Sequence, residues 1–299
     1  MNEFLTALSN LSVLLFVVTS MLAMGLSLTV SQIVAPLRNT RLVILALVSN
    51  FVLVPLLAYA VTLVIPLEQP LRIGILLLAT AAGAPFLPKL AQFAHGNLAF
   101  SVGLMVLLMV VTIVYMPLVL PLLLPGVSVD PLAIAGSLVL TMLLPLGIAL
   151  LVRARWPEPA HSLQQTMAQA SNLALVLLLV TTVLANFQSI LAVVGTGGIV
   201  ASLILILGAL LSGVLLGGPG SDTRGVVGLG TAQRNIAAAS IVATSNFADQ
   251  PDVLVMLMVT ATVGMVILFP VAAELGKRAQ KALGPAGGPP PAAGAQRPA

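Results

Sequence analysis

Two cations lie inside long apolar runs of the chain, where a charge needs an explanation. Lys89 falls within AAGAPFLPKLAQFAHG at 81–96, and Arg234 falls within GLGTAQRNIAAAS at 228–240. A cation in the bilayer interior is costly and marks a functional site by default. A guanidinium carries five N–H donors in a fork that fits a carboxylate or sulfonate. The candidate substrate-binding residues are therefore Arg234, Gln233, Asn235, Thr231 and Lys89.

Both cations lie beside residues that interrupt helices. Gly83, Pro85 and Pro88 cannot all be accommodated in one regular helix, so we predict a break before Lys89. The polar and glycine cluster at 228–235 predicts an unwound or kinked segment around Arg234. One interrupted helix in each half of a membrane chain is typical of inverted-repeat transporters, whose site lies at the midplane. The half-helix N-termini after each break would direct positive dipole ends at a bound anion.

Other interpretations of these residues stay open at the level of sequence. Lys89 lies about six residues from the end of its apolar run, so its side chain could instead extend to the interface. Arg234 could form a buried salt bridge, although no acidic residue lies well inside an apolar run. Gln233 and Asn235 could hydrogen-bond neighbouring helices without touching a ligand.

Composition places the elements around these residues in lipid. The 299 residues are 59% apolar and 7% charged, whereas soluble domains are about 25% charged. The chain has no cysteine and two histidines far apart, so we predict neither a metal site nor a disulfide, and no catalytic residue is assigned. Although the net charge is +4, the basic residues are dispersed, and no nucleic-acid partner is predicted.

The apolar runs predict an all-α integral membrane protein with nine transmembrane helices. We expect an inverted-repeat transporter with two crossing broken helices, in which core and panel domains interleave within residues 1–283. The repeats would cover about 11–124 and 131–276, and the Pro, Gly and Ala tail at 284–299 should be disordered. The predicted spans are 11–31, 42–65, 73–95, 98–124, 131–152, 170–192, 198–216, 225–247 and 253–274.

The charges of the loops predict the orientation of the chain. One set of loops carries most of the Lys and Arg residues, including Arg38, Arg153 and Arg278, and the alternate set is mainly acidic, with Glu68 and Asp130. By the positive-inside rule the C-terminus is cytoplasmic and the N-terminus lies outside, as expected for a multi-pass protein of the cell (inner) membrane.

Three segments resemble the bile acid:sodium symporter family. They are MGLSLTVSQI at 24–33, GAPFLPKLAQFAHGNLAFSV at 83–102 and GLGTAQRNIAAASIVATSNF at 228–247, and the resemblance runs from about residue 20 to 276. It implies a core domain built around two crossing broken helices, a smaller panel domain, and an exchange of access driven by sodium. Members of the family carry bile acids, pantoate, pyruvate and other organic anions. The resemblance also implies that, relative to ten-helix members, the first helix is missing from this chain.

The chain departs from the sodium-coupled members of that family at their ligand positions. Pro85-Phe86-Leu87-Pro88 replaces the Ser-Asn pair of the first break, and Gly228 stands where the second break carries a Glu. Met105 occupies a Thr position, and Ala232 and Gln233 fall on a Gln-Asn pair. Ser101 and Asn50 keep polar side chains where cation ligands are expected. The resemblance therefore makes Asn50 and Ser101 possible cation-binding residues.

We predict from these departures that Arg234, and Lys89 if it faces the site, occupies the region of the missing sodium and neutralises the substrate directly. Sodium is a hard cation whose sites usually include a carboxylate, and that carboxylate is missing here. No bound cofactor is predicted. Sodium coupling, proton coupling and the oligomeric state stay open.

Three other function classes compete with a carrier of small organic anions. An intramembrane protease needs paired aspartates, a Ser-His dyad or an H-E-x-x-H helix within the membrane. The apolar runs of this chain contain none of these, so that class is excluded. A metalloid efflux carrier of the arsenite type is a second candidate, although it usually uses cysteine, which this chain lacks. A non-transporting membrane sensor is a third, although the longest polar stretch is the tail.

Overall fold

The computed structural model describes residues 2–34, 38–125, 130–185 and 193–283, and every regular element in these ranges is a helix. Two of the helices are five-residue π-helices, Ser49–Leu53 and Val139–Leu143, and each continues directly from one α-helix into the next. The α-helices are α1 Asn2–Ser27, α2 Val30–Val34, α3 Thr40–Val48, α4 Val54–Val64, α5 Gln69–Thr80, α6 Leu87–Phe93, α7 Leu98–Leu123, α8 Pro131–Leu138, α9 Leu144–Arg155, α10 Pro157–Ala185, α11 Gly198–Leu216, α12 Ser221–Ala232, α13 Ile236–Asn246 and α14 Pro251–Leu283.

Five helical stretches in the described ranges are long and apolar enough to cross a bilayer. Large apolar side chains on these stretches are exposed, as on a lipid-facing surface; Leu63 is 71% and Leu122 is 76% exposed. The protein is therefore a multi-pass membrane protein, whereas the count of nine spans, the inverted repeat and the core and panel division stay predictions. The five stretches are Thr40–Val64, Leu98–Leu123, Pro131–Arg155, Gly198–Leu216 and Pro251–Lys281.

Some predicted boundaries differ from the observed ones. Helix α10 begins at Pro157, whereas the sequence placed a loop before a span at 170–192. A proline at the first helical position is favourable, and no glycine or later proline interrupts the helix after Pro159. The end of that predicted span, and the predicted disordered tail at 284–299, lie outside the described residues.

The first predicted break is present and is buried. Helix α5 is buried without interruption from Ile73 to Thr80 and ends there, and α6 begins at Leu87. Gly83, between the two helices, has φ +77°, a conformation that residues with a Cβ rarely adopt. A Cβ there would also meet the backbone of Met109 on α7 and the Met105 carbonyl at 2.7 Å. The glycine therefore allows the break to pack directly on the α7 backbone.

The second predicted break is shorter than the glycine cluster suggested. Gly228 and Gly230 lie within α12, and the helix is interrupted at Gln233–Asn235, before α13. The glycines allow close helix packing instead. A Cβ at Gly228 would meet the Val214 side chain on α11 at 2.5 Å, and one at Gly230 would meet the Leu87 side chain at 2.8 Å.

Candidate functional site

The two breaks lie against each other and are joined by hydrogen bonds from Asn235. The Asn235 backbone N–H donates to the Ala81 carbonyl at 2.9 Å. Its side-chain Nδ2 donates to the Gly83 carbonyl at 3.0 Å and to the Ala82 carbonyl at 3.3 Å. Its Oδ1 accepts a hydrogen bond from the Ala238 N–H at 3.1 Å and so caps α13. Asn235 therefore starts one half-helix and also donates hydrogen bonds to three backbone carbonyls of the other break.

Thr112 of α7 satisfies the backbone of the first break from the other side. Its hydroxyl oxygen accepts a hydrogen bond from the Ala82 N–H at 2.9 Å and donates one to the Ala82 carbonyl at 3.1 Å. Both residues are fully buried, so these backbone groups have no access to water. Thr112 was not among the predicted site residues, and its signal in the sequence is a hydroxyl within an apolar run.

Arg234 lies at the crossing with its side chain inside the protein, where the residue is 4% exposed. Its Nε donates to the Leu78 carbonyl at 3.0 Å and its Nη2 to the Ala79 carbonyl at 2.8 Å. Its Nη1 donates to the Thr231 carbonyl at 3.0 Å and to the Asn50 Oδ1 at 2.9 Å. A guanidinium has five N–H donors, so these four hydrogen bonds leave one Nη2–H for another partner.

The oxygens around Arg234 belong to the C-terminal ends of two helices. Leu78 and Ala79 lie in the last turn of α5, and Thr231 lies in the last turn of α12. Helix C-terminal carbonyls carry partial negative charge, which favours a cation there. In the described part of the chain the ion pair is Arg278–Glu274 on the surface, and no carboxylate pairs with Arg234. Among the described residues, helix dipoles stabilise the buried positive charge, and no carboxylate does.

Asn50 connects this cluster to the membrane-crossing stretch Thr40–Val64 through a π-helical turn. Its Nδ2 donates to the Thr231 hydroxyl at 3.0 Å and to the Ala46 carbonyl at 2.9 Å. It lies in the π-helix Ser49–Leu53, and such turns are frequent at functional sites. The turn precedes Pro55, which has no N–H for the Phe51 carbonyl. The Tyr115 hydroxyl donates to that carbonyl at 2.6 Å instead.

A small cavity lies beside the guanidinium. Its volume of about 20 Å³ is enough for a single water molecule. Gln233 is 5% exposed and lines the cavity, and in the described ranges its side-chain amide has no hydrogen bond. An amide that lines a cavity and has no protein partner is free to bind a ligand there. The cavity is lined by Leu78, Ile206, Ala232, Gln233, Arg234, Ile236, Thr260, Ala261 and Gly264.

The structure brings together four of the predicted substrate-binding residues and one of the possible cation-binding residues. Lys89 lies apart from them: it is exposed on α6, with Nζ 5.5 Å from the Phe93 ring centroid. Ser101 is buried on α7 and donates to the Leu98 carbonyl of its own helix at 2.7 Å. The residues at the crossing are Arg234, Gln233, Asn235, Thr231 and Asn50.

Comparison with known proteins gives one family match. The model of the sodium bile acid symporter family matches residues 13–196, which is more than half of the chain. The match includes Asn50 and the whole first break, and it ends before the second break. No match was found among curated proteins.

Proposed function

The chain belongs to the sodium bile acid symporter family, and from this premise we propose that it is a secondary transporter of small organic anions. The substrate would bind where the two breaks meet, beside Arg234. The observation that carries this proposal is a buried guanidinium with no carboxylate partner in the described part of the protein. An anionic ligand at the cavity would complete the charge balance that helix dipoles provide only in part.

The free donors at the cavity favour a ligand with a small acidic group. One Nη2–H of Arg234 remains after its four hydrogen bonds, and Gln233 adds an unpaired amide. Ile236 begins α13 and also lines the cavity, so the positive end of that half-helix lies at the same place. Both Nη1–H donors and the Nε–H are already used, so a bidentate pairing with a carboxylate would require loss of the bond to Asn50, Thr231 or Leu78. We therefore propose one contact from Arg234 and one from Gln233.

The size of the cavity supports alternating access in place of an open channel. At about 20 Å³ the cavity has no room for an organic acid in this conformation. Substrate entry would require α13 and α14 to separate from α5 and α12, widening the cavity on one side of the membrane at a time.

We also propose that the protein lies in the cell inner membrane with its C-terminus in the cytoplasm. The support for this orientation is the charge of the loops, since Arg153, Arg155 and Arg224 lie on one predicted side and Asp130 and Asp252 on the other.

Counterflow uptake into proteoliposomes tests the transport proposal. Vesicles loaded with an unlabelled carboxylate are diluted into the same labelled carboxylate, and the series covers small mono- and dicarboxylates, a sulfonate and the matching neutral amides. We expect exchange of at least one anion and of no amide. A folded protein that exchanges no anion, or that exchanges acid and amide equally, would disprove the proposal.

The contribution of Gln233 is tested in the same assay by Gln233→Leu, which keeps the side-chain volume and removes the donor. Loss of one hydrogen bond to a charged ligand costs about 1.5–3 kcal/mol, so we expect apparent affinity to fall about tenfold or more. The matched control is Gln165→Leu, at an exposed position on α10, which should exchange like the native protein. Equal affinity in both variants would remove Gln233 from the site.

A further inference from the structure

We infer that Arg234 is a built-in cation that fills an oxygen cage, so that anion binding at the crossing needs no sodium ion. The cage consists of the Leu78, Ala79 and Thr231 carbonyl oxygens and the Asn50 Oδ1. The consequence for substrate binding rests on the proposed function, whereas the occupancy of the cage does not.

The atoms around the guanidinium are those that bind hard cations in proteins. All four are neutral oxygens, three from backbone carbonyls and one from an amide. Carbonyl oxygens of interrupted helices replace the hydration shell of a small cation in membrane proteins. They come from three elements, α5, α12 and the π-helix, so a single cation at their centre holds three parts of the fold together.

The charge at the centre of the cage opposes a second cation beside it. Arg234 occupies its centre and is 4% exposed, and the adjacent cavity is limited to about 20 Å³. A sodium ion in that cavity would lie next to the guanidinium without a carboxylate to offset their repulsion, which is strong in a low-dielectric interior. The fixed charge therefore excludes the ion whose position it takes.

Removing the guanidinium should turn the cage into a site for a soluble cation. In Arg234→Ala the four oxygens lose the donors of the guanidinium and remain buried, and the Leu78 carbonyl keeps one other donor, the Ala81 N–H at 3.1 Å. We expect the purified variant to melt at a lower temperature than the native protein. Its melting temperature should then rise, in a saturable way, with millimolar guanidinium or sodium relative to the same concentration of tetramethylammonium, which has no N–H donors and is too large for the cage.

The matched control is Arg224→Ala. Arg224 is also an arginine whose Nε donates to a backbone carbonyl, that of Gly218 at 2.9 Å, but it is exposed. Its variant should show no specific stabilisation by guanidinium or sodium. If neither ion stabilises Arg234→Ala more than tetramethylammonium does, or if both variants respond equally, the cage is not a cation site and the inference is wrong.

The native protein provides a second test that does not depend on the folding of a variant. Stabilisation of the native protein by a bound carboxylate should be unchanged when potassium replaces sodium at constant ionic strength. A requirement for sodium would overturn the inference while leaving the transport proposal intact. Conversely, if no carboxylate binds, the proposed function fails, and the response of Arg234→Ala to cations still shows whether the cage binds them.

Discussion

Asn235 both caps a helix and links the two breaks. It caps α13 through Oδ1, and its Nδ2 reaches the Gly83 carbonyl of the opposite break. Asn97 provides a natural comparison, because its Oδ1 caps α7 through the Phe100 N–H at 2.9 Å and it lies at an exposed position. Both asparagines cap a helix, but only Asn235 links the breaks, so the difference between the effects of replacing them measures the contribution of that link to stability.

We expect Asn235→Ala to destabilise the protein by about 2–4 kcal/mol, of which the cap accounts for about 1 kcal/mol and the buried carbonyl left without a donor for about 1–3 kcal/mol. Asn97→Ala should lose only the cap, about 1 kcal/mol. Denaturation in detergent would measure both. An Asn235→Ala variant as stable as Asn97→Ala would contradict the hydrogen-bonded junction.

Individual residues also show how far the sequence could predict the site. Arg234 and Asn235 were identifiable, because a cation and an amide inside an apolar run need partners. Their hydrogen-bond partners could not be identified from the sequence, because the carbonyls of Leu78, Ala79 and Gly83 belong to the backbone and do not depend on the side-chain type. Lys89 illustrates the opposite case, because the turn that begins α6 leaves its side chain on an exposed face.

At the scale of elements, a proline accounts for the local geometry that presents Asn50. Each π-helix is followed by one residue and then by a proline, Pro55 in one case and Pro145 in the other. The ring of a proline clashes with the carbonyl four residues earlier, and widening the preceding turn relieves that clash. Pro55 has no N–H to donate to the Phe51 carbonyl, and the Tyr115 hydroxyl donates to that carbonyl instead.

A double-mutant cycle tests this account of the π-helix. Tyr115→Phe should destabilise the native protein by about 1–3 kcal/mol, because the Phe51 carbonyl loses its donor. In a Pro55→Ala background the new N–H of residue 55 can reach that carbonyl, so the same change should cost less. Tyr59→Phe, at a position 37% exposed, is the control and should be nearly neutral. Equal costs of Tyr115→Phe in both backgrounds would contradict the exchange of donors.

The elements also show which parts of the fold followed from sequence patterns. The first break was predictable, since Gly83, Pro85 and Pro88 are incompatible with a continuous helix. The second break was placed too broadly, because Gly228 and Gly230 serve close packing with α11 and α6 within a continuous α12. A glycine in a membrane helix signals either a bend or a close neighbour, and only the packing partner distinguishes the two.

At the scale of the whole molecule, the orientation proposed from loop charge can be measured directly. The chain has no cysteine, so each single-cysteine variant carries one reactive thiol. Gln69 and Gln165 are both exposed and lie on opposite predicted sides. In intact cells a membrane-impermeant maleimide should label Gln69→Cys, whereas Gln165→Cys should react only after permeabilisation. The reverse pattern would show that the N-terminus is cytoplasmic.

At the scale of the whole molecule, transport requires that the anion bind where the two breaks cross. Gly264 of α14 lines the cavity, and a Cβ there would meet only the Ile206 Cδ1, at 3.6 Å. Alanine should therefore fit, whereas the longer side chain of leucine would compete with a ligand. Gly147 of α9 is the matched control, since a Cβ there has no neighbour within 4 Å.

The most direct measurement is counterflow uptake of an organic anion by the native protein and by Gly264→Ala, Gly264→Leu and Gly147→Leu, each shown to be folded. The leucine side chain of Gly264→Leu should destabilise the ligand-bound state by ~1–3 kcal/mol through overpacking. We therefore expect uptake by this variant to fall about tenfold or more. Gly264→Ala and Gly147→Leu should retain uptake. Native uptake of an anion that Gly264→Leu carries equally well would contradict a binding site at the crossing.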